Sequence, residues 1–147
     1  MRGPLPAVFE AWFARRGWQA HDHQLQMLDA ARAGKPALLT APTGGGKTLA
    51  GFLPSLVELA ESPDFEGLHT LYISPLKALA TDIRRNLETP LSEMGLAITA
   101  ESRTGDTPAN RRTRQRENPP NILMTTPESL ALLLSFEDSD RIFANLR

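Results

Sequence analysis

Ala41-Pro42-Thr43-Gly44-Gly45-Gly46-Lys47-Thr48 is the stretch whose reading decides the fold. Three consecutive glycines carry no Cβ, so the backbone can adopt positive φ and turn its N–H groups onto a polyphosphate. Lys47 adds a point charge for the β and γ phosphates, and the Thr48 hydroxyl offers one coordination position to Mg²⁺. Ala41 stands where the G-x-x-x-x-G-K-[ST] pattern has its first glycine. The surroundings supply what that departure removes. Pro36 to Leu39 is a short apolar run suited to a buried parallel strand, and Leu49 to Leu59 carries apolar residues at helical spacing. Strand, glycine loop and helix is the setting in which such a loop holds a nucleotide, with the positive helix end on the anion.

Outward from the loop, Leu5, Val8, Phe9, Trp12 and Phe13 form one apolar stripe, which predicts a helix ending near Gly17. A second helix is predicted from Asp22 to Ala33, with Gly34 placed to cap it. Near the start of that second helix, Gln24 lies twenty-three residues ahead of Lys47. Its amide, donor and acceptor together, suits the N6 and N7 edge of adenine, with Trp18 placed to stack nearby. The alternative for Gln24 is an exposed helix residue. His21, Asp22 and His23 resemble metal ligands by type, but a loop cluster of this kind reads better as solvated.

Beyond the loop helix, Glu61 to Gly67 is a polar connection, too short and embedded to read as a domain boundary. Strands are predicted at Leu68–Ile73, Leu96–Ala100 and Asn121–Met124, with helical spacing at Leu76–Leu87 in a helical region whose end Gly95 marks, in the arginine-rich stretch after Pro108, and after Thr126. Thr126 followed by Pro127 is a strong helix start. The alternation predicts an α/β fold, a mostly parallel sheet with helices on both faces and ligands at the carboxyl ends of its strands. Residues 1–34 read as N-terminal helices with the Gln segment, and 35–147 as the nucleotide-binding body.

Composition narrows the function classes. The 147 residues are 41% hydrophobic and contain no cysteine, which excludes a disulfide framework or thiolate metal site. No apolar run reaches the length of a bilayer span, so a soluble cytoplasmic protein with no membrane partner is expected. A net charge of −1 carries no bulk positive field, so any polynucleotide site must be local. Arg103 to Arg116 holds five arginines against Asp106 alone and is the candidate, its bland alternative being a solvated helix face.

Gln24, the run Ala41 to Thr48, Ser74-Pro75-Leu76-Lys77-Ala78-Leu79, Arg103-Thr104-Gly105-Asp106-Thr107 and Thr125-Thr126-Pro127-Glu128-Ser129 resemble successive motifs of one family. They are similar, in order and spacing, to the first RecA-like domain of superfamily 2 DEAD/DEAH-box helicases. The wording of Pro75-Leu76-Lys77-Ala78-Leu79 and Thr125-Thr126-Pro127-Glu128-Ser129-Leu130 is most like the large helicase-related (Lhr-type) branch, some members of which are found beside DNA ligases. The resemblance runs from about Trp18 onward. It implies that Gln24 reads adenine and that Ala41, Pro42, Thr43, Gly44, Gly45, Gly46, Lys47 and Thr48 hold ATP and Mg²⁺. It further implies that Pro75, Leu76, Lys77, Arg103, Thr104, Gly105, Thr107, Thr125, Pro127 and Glu128 line a track for one strand of DNA or RNA, with DNA favoured.

The family also carries an Asp-Glu-x-His motif after the next strand and a second RecA-like domain with an arginine finger, and neither occurs in these residues. The expectation is an N-terminal piece of an ATP-dependent helicase or translocase, with the rest of that chain and a repair protein such as a ligase as partners. Alone it is expected to bind nucleotide weakly and hydrolyse little. Two other readings stay open: a module that binds nucleotide or nucleic acid without turnover, and a P-loop kinase, against which stands the lack of any acceptor site or lid.

Overall fold

The computed structural model describes residues 4–42 and 46–147. They fall into two compact units, Met1–Ser62 and Pro63–Arg147. The division lies in the polar 61–67 connection rather than after residue 34, because the second predicted helix packs against the loop helix and takes the loop into the first unit.

The first unit is helical. Helices α1 (Ala7–Arg15), α2 (Asp22–Arg32) and α3 (Lys47–Glu61) follow one another, each close to its predicted place. Phe9, Trp12 and Phe13 of α1 are buried, as the apolar stripe requires, and α2 packs against α3. Pro54 lies inside α3, where it removes one N–H, but Leu53, Leu56 and Val57 around it are buried and offset that loss. The predicted strand at Pro36–Leu39 is not formed: the segment carries no ladder, and Leu38 is 91% exposed. A strand is made by its neighbours as much as by its own apolar content, and the described residues of this unit contain only helices.

The second unit is the α/β part. In order it runs β1 (Thr70–Ile73), α4 (Lys77–Met94), β2 (Ala100–Arg103), α5 (Ala109–Glu117), β3 (Ile122–Thr125), α6 (Pro127–Ser135) and α7 (Ser139–Ile142). The three strands pair in the order β1-β3-β2, all parallel. Helical crossovers between parallel strands explain why β3 enters between the two earlier strands. Strand β2 begins at Ala100 rather than Leu96, because its ladder is fixed by pairing Ala100 with Ile122 and Arg103 with Thr125. The helical spacing is legible to Leu87, and α4 continues through Pro90, since Pro90, Leu91 and Met94 are all buried, to the end expected at Gly95. Its end is set by Gly95, whose φ of 65° suits a residue without a side chain.

Leu68, Leu123, Leu133 and Ile142 form one buried cluster, joined by Leu71, Phe136 and Phe143, so α6 and α7 cover one face of the sheet. Alternation turns Ile122 and Met124 to the opposite face, where both are fully buried, and α4 packs against β2 and β3. Among the described residues no helix is long and apolar enough to cross a membrane.

Candidate nucleotide and nucleic-acid sites

In the first unit, helix α3 starts immediately after Gly46, whose φ of 74° is left-handed. A Cβ built there would stand 2.8 Å from Gln24 Nε2, so glycine is required both by backbone and by space. The first turn of α3 holds no acid, and Lys47 and Thr48 are exposed. A helix N-terminus with a lysine and no acid on its first turn favours an anion. Thr43, Gly44 and Gly45 lie outside the described residues.

Gln24 is 2% exposed and ties the two helices together. Its Oε1 accepts from the His21 backbone N–H at 2.8 Å, and its Nε2 donates to the Gly46 carbonyl at 3.3 Å. That carbonyl also accepts from Ala50 N, the first turn of α3. A side-chain amide has two N–H donors and two acceptor lone pairs, and one of each is used among the described residues. Sequence reasoning gave Gln24 to a base; the structure adds a mechanical role beside the loop.

A cavity of about 380 Å³ is lined by Phe13, Trp18, Gln19, His21, Gln24, Gly46 and Leu49. Its size and its mixture of flat apolar rings with amides suit a small planar ligand. Trp18, 50% exposed, is held by Trp12, edge to face at 5.8 Å, and by the Arg16 guanidinium 5.1 Å from its ring. A larger cavity of about 730 Å³ shares Phe13, Trp18 and Gln19 but touches neither Gln24 nor Gly46, so the smaller one is the better candidate. Phe13 was read from sequence only as core; nothing in its helical spacing marks it as a cavity wall. Of the remaining loop residues, Ala41 is half-buried and Pro42 exposed.

Thr48 would give magnesium one oxygen, the others coming from phosphates and water, as this small hard ion usually takes them. Among the described residues no group of three or more His, Cys, Asp or Glu is arranged to hold a metal by itself. The exposed Thr48 hydroxyl therefore fits a nucleotide-borne ion rather than a protein-built cage.

In the second unit, Ile73 of β1 and Arg103 of β2 are both level with Thr125 of β3. Because all three strands are parallel, the turns that follow them leave one edge of the sheet side by side. Each turn is held by hydrogen bonds. Ser74 N donates to Thr125 O at 2.9 Å, and Ser74 Oγ accepts from Leu76 N at 3.3 Å. Thr107 Oγ1 accepts from Thr104 N at 2.9 Å, and Thr104 Oγ1 accepts from Asp106 N at 3.2 Å. Thr126 Oγ1 accepts from Ser129 N, capping α6 with Pro127 in its first turn as the sequence predicts.

The predicted track residues thus divide in two. Pro75, Leu76, Lys77, Gly105, Pro127 and Glu128 are exposed along this edge. Arg103, Thr104, Thr107 and Thr125 are buried and hold the turns. Lys77 Nζ lies 3.4 Å from Asp106 Oδ1, an exposed ion pair across two of the turns. The arginines of α5 also divide. Arg114 pairs with Glu101, which raises its pKa through that hydrogen bond. Arg116 lies 3.7 Å over the Phe136 ring and 2.9 Å from Asp138, whose pKa it lowers. Arg111 is exposed. Gln115, buried and bonded to Ser102 O at 3.1 Å, was missed by sequence reasoning, because a single amide in an arginine-rich helix carries no pattern.

A family model described as DEAD/DEAH box helicase matches residues 21–147. The chain belongs to the DEAD/DEAH box helicase family. Relatives of this helicase domain include the Lhr helicase/probable uracil glycosylase of Mycolicibacterium smegmatis, 42% identical over 90% of this chain and 10% of that protein. The Lhr helicase/uracil glycosylase of Escherichia coli is likewise 42% identical, over 89% of this chain and 10% of its own length. The structure of the Mycobacterium smegmatis helicase Lhr bound to ssDNA and AMP-PNP superimposes with a TM-score of 0.86 at 40% identity, covering 99% of this chain and 20% of that one. The helicase domain described here thus has the RecA-like fold and spans about a tenth to a fifth of the length of the curated relatives it matches. The sequence reading of an α/β, RecA-like, Lhr-related helicase domain agrees with these findings.

Proposed function

We propose that this chain is the ATP-binding part of an ATP-dependent helicase or translocase that moves on single-stranded nucleic acid, with DNA favoured over RNA. The observation that carries the reading is Gln24: one side chain bonds the start of the loop helix and also lines a base-sized cavity. Adenine enters between Trp18 and the Gln24 amide. Lys47 and the N-terminus of α3 hold the β and γ phosphates, with Ala41 to Gly46 wrapping the tail, and Thr48 gives one ligand to Mg²⁺. Family membership supports the use of ATP.

Nucleic acid runs along the second unit's turn edge. Lys77, the N-terminus of α4 and the Gly105 backbone meet phosphates, Leu76 and Pro75 meet sugars or bases, and Thr104, Thr107, Thr125, Pro127 and Glu128 shape the path. Such contacts hold the backbone without reading sequence, as a translocating enzyme needs. The loop residues are donors and a cation, and no carboxylate among them orients water or completes the magnesium shell. By itself the chain therefore binds nucleotide with little turnover, and the remainder of the helicase chain supplies hydrolysis. A DNA-repair partner such as a ligase fits the same activity.

The test is the ATPase rate of the intact protein with and without single-stranded DNA, beside Lys47→Ala. Stimulation by DNA and its loss in the variant support the reading. An ATPase equally fast in both conditions would remove it.

A further inference from the structure

Arg103 closes β2 and opens the turn Thr104–Thr107, where the family motif would place it against a polynucleotide. Its side chain is 5% exposed and points into the domain. Nη1 donates to Arg112 O at 2.9 Å and lies 3.5 Å from Gln115 Oε1. Gln115, buried as well, donates Nε2 to Ser102 O at 3.1 Å. On the backbone side, the Arg103 carbonyl accepts from Thr125 Oγ1 at 2.7 Å.

None of these partners is a carboxylate, and the charges that act on the guanidinium are Arg112 and Arg116, both cations. Burying a charge without an opposite one is costly. What it gains here is geometric. The turn leaves β2 at Arg103 and enters α5 at Ala109, so its shape depends on how β2 and α5 sit against each other. Arg103 and Gln115 bridge those two elements just behind the turn, each bonding a backbone carbonyl of the other's element.

We propose that Arg103 is a positioning residue: with Gln115 it locks α5 to the end of β2 and so fixes the Thr104–Thr107 turn, without itself touching a nucleic-acid phosphate. The binding readout below rests on the proposed function, and the exchange readout does not.

The experiment compares wild type, Arg103→Met, Arg103→Lys and Gln115→Met in the intact protein. Affinity for a fluorescent oligo(dT) is measured across a salt series, and amide hydrogen exchange is followed at Thr104 and Asp106. Each variant is expected to weaken binding about tenfold, as loss of a buried charge-assisted bond does. The slope of log affinity against log salt stays at the wild-type value, whereas a lost phosphate contact lowers it by about 0.7. Lysine does not rescue, because it lacks the planar fork. Turn amides exchange faster in every variant. A slope reduced by about 0.7 in Arg103→Met, or full rescue by Arg103→Lys, overturns the proposal. So does a Gln115→Met protein with wild-type affinity and exchange, and this variant decides the matter if Arg103→Met does not fold. Should wild type fail to bind oligo(dT), the proposed function falls, and exchange at Thr104 and Asp106 alone decides the role of Arg103.

Discussion

Gln24 Nε2 donates to the carbonyl of Gly46 at 3.3 Å, joining two residues twenty-two positions apart at the start of α3. Gly46 is left-handed and its absent Cβ leaves the room that Gln24 fills. Gly46→Ala should therefore destabilise by about 1–2 kcal/mol from backbone strain alone, and more where Gln24 is pushed aside. Thermal unfolding checks the first effect. Nucleotide titration checks a second: Gly46→Ala should bind ATP more weakly even at temperatures where it stays folded.

On the proposed reading, the cavity beside that bond takes the base, and Lys47 with the start of α3 takes the phosphates. Trp18→Ala removes a flat face but leaves Lys47 and the start of α3 untouched. ATP binding should weaken about tenfold, in line with about 1–3 kcal/mol for a base stacked on an aromatic ring. Inorganic tripolyphosphate should bind as before. Equal losses for both ligands would mean that Trp18 acts on the fold and not on the base.

At the sheet edge, Lys77 is paired with Asp106, and on the proposed track it would also meet a phosphate. Surface ion pairs contribute only about 0–1 kcal/mol, so a phosphate can displace the carboxylate. Asp106→Asn should tighten single-stranded DNA binding about two- to threefold, within that range. Lys77→Ala should lower the salt slope by about 0.7, the loss of one phosphate contact. Fluorescence anisotropy at several salt concentrations measures both.

The Asp138 carboxylate is held below its ordinary pKa first by a hydrogen bond from Arg116, with Arg141 also contributing. A carboxylate depressed in the folded state stabilises above its unfolded pKa and loses that contribution as pH falls through the lowered one. Asp138→Asn should thus unfold more easily than wild type near neutrality, and the difference should close below about pH 4. Unfolding midpoints at pH 7 and pH 3 test the sign.

How much of this was legible in the sequence depended on whether a residue's role is local. The cap at Thr126 with Pro127 in the next turn, the left-handed Gly95 and the amphipathic α1 are decided by near neighbours, and each appears where its pattern placed it. Pro36–Leu39 failed as a strand because ladder partners are not encoded in the segment itself. In α4 the helical spacing was legible only to Leu87, and the burial of Pro90, Leu91 and Met94 outweighed the missing N–H and carried the helix on to Gly95. The motif residues at the sheet edge were found by type, but which of them face outward was not. Lys77 and Arg103 are both basic and both follow or end a strand, yet one is exposed and the other buried with Gln115.

Nucleotide binding by the lysine of the loop is the most direct check on the whole account. Isothermal titration of ATP with Mg²⁺ into wild type and Lys47→Ala should give saturable binding in the first and a loss of about tenfold or more in the second, as removal of a charge-assisted phosphate contact implies. Equal affinity in the two proteins, or no saturable binding in wild type, would contradict it.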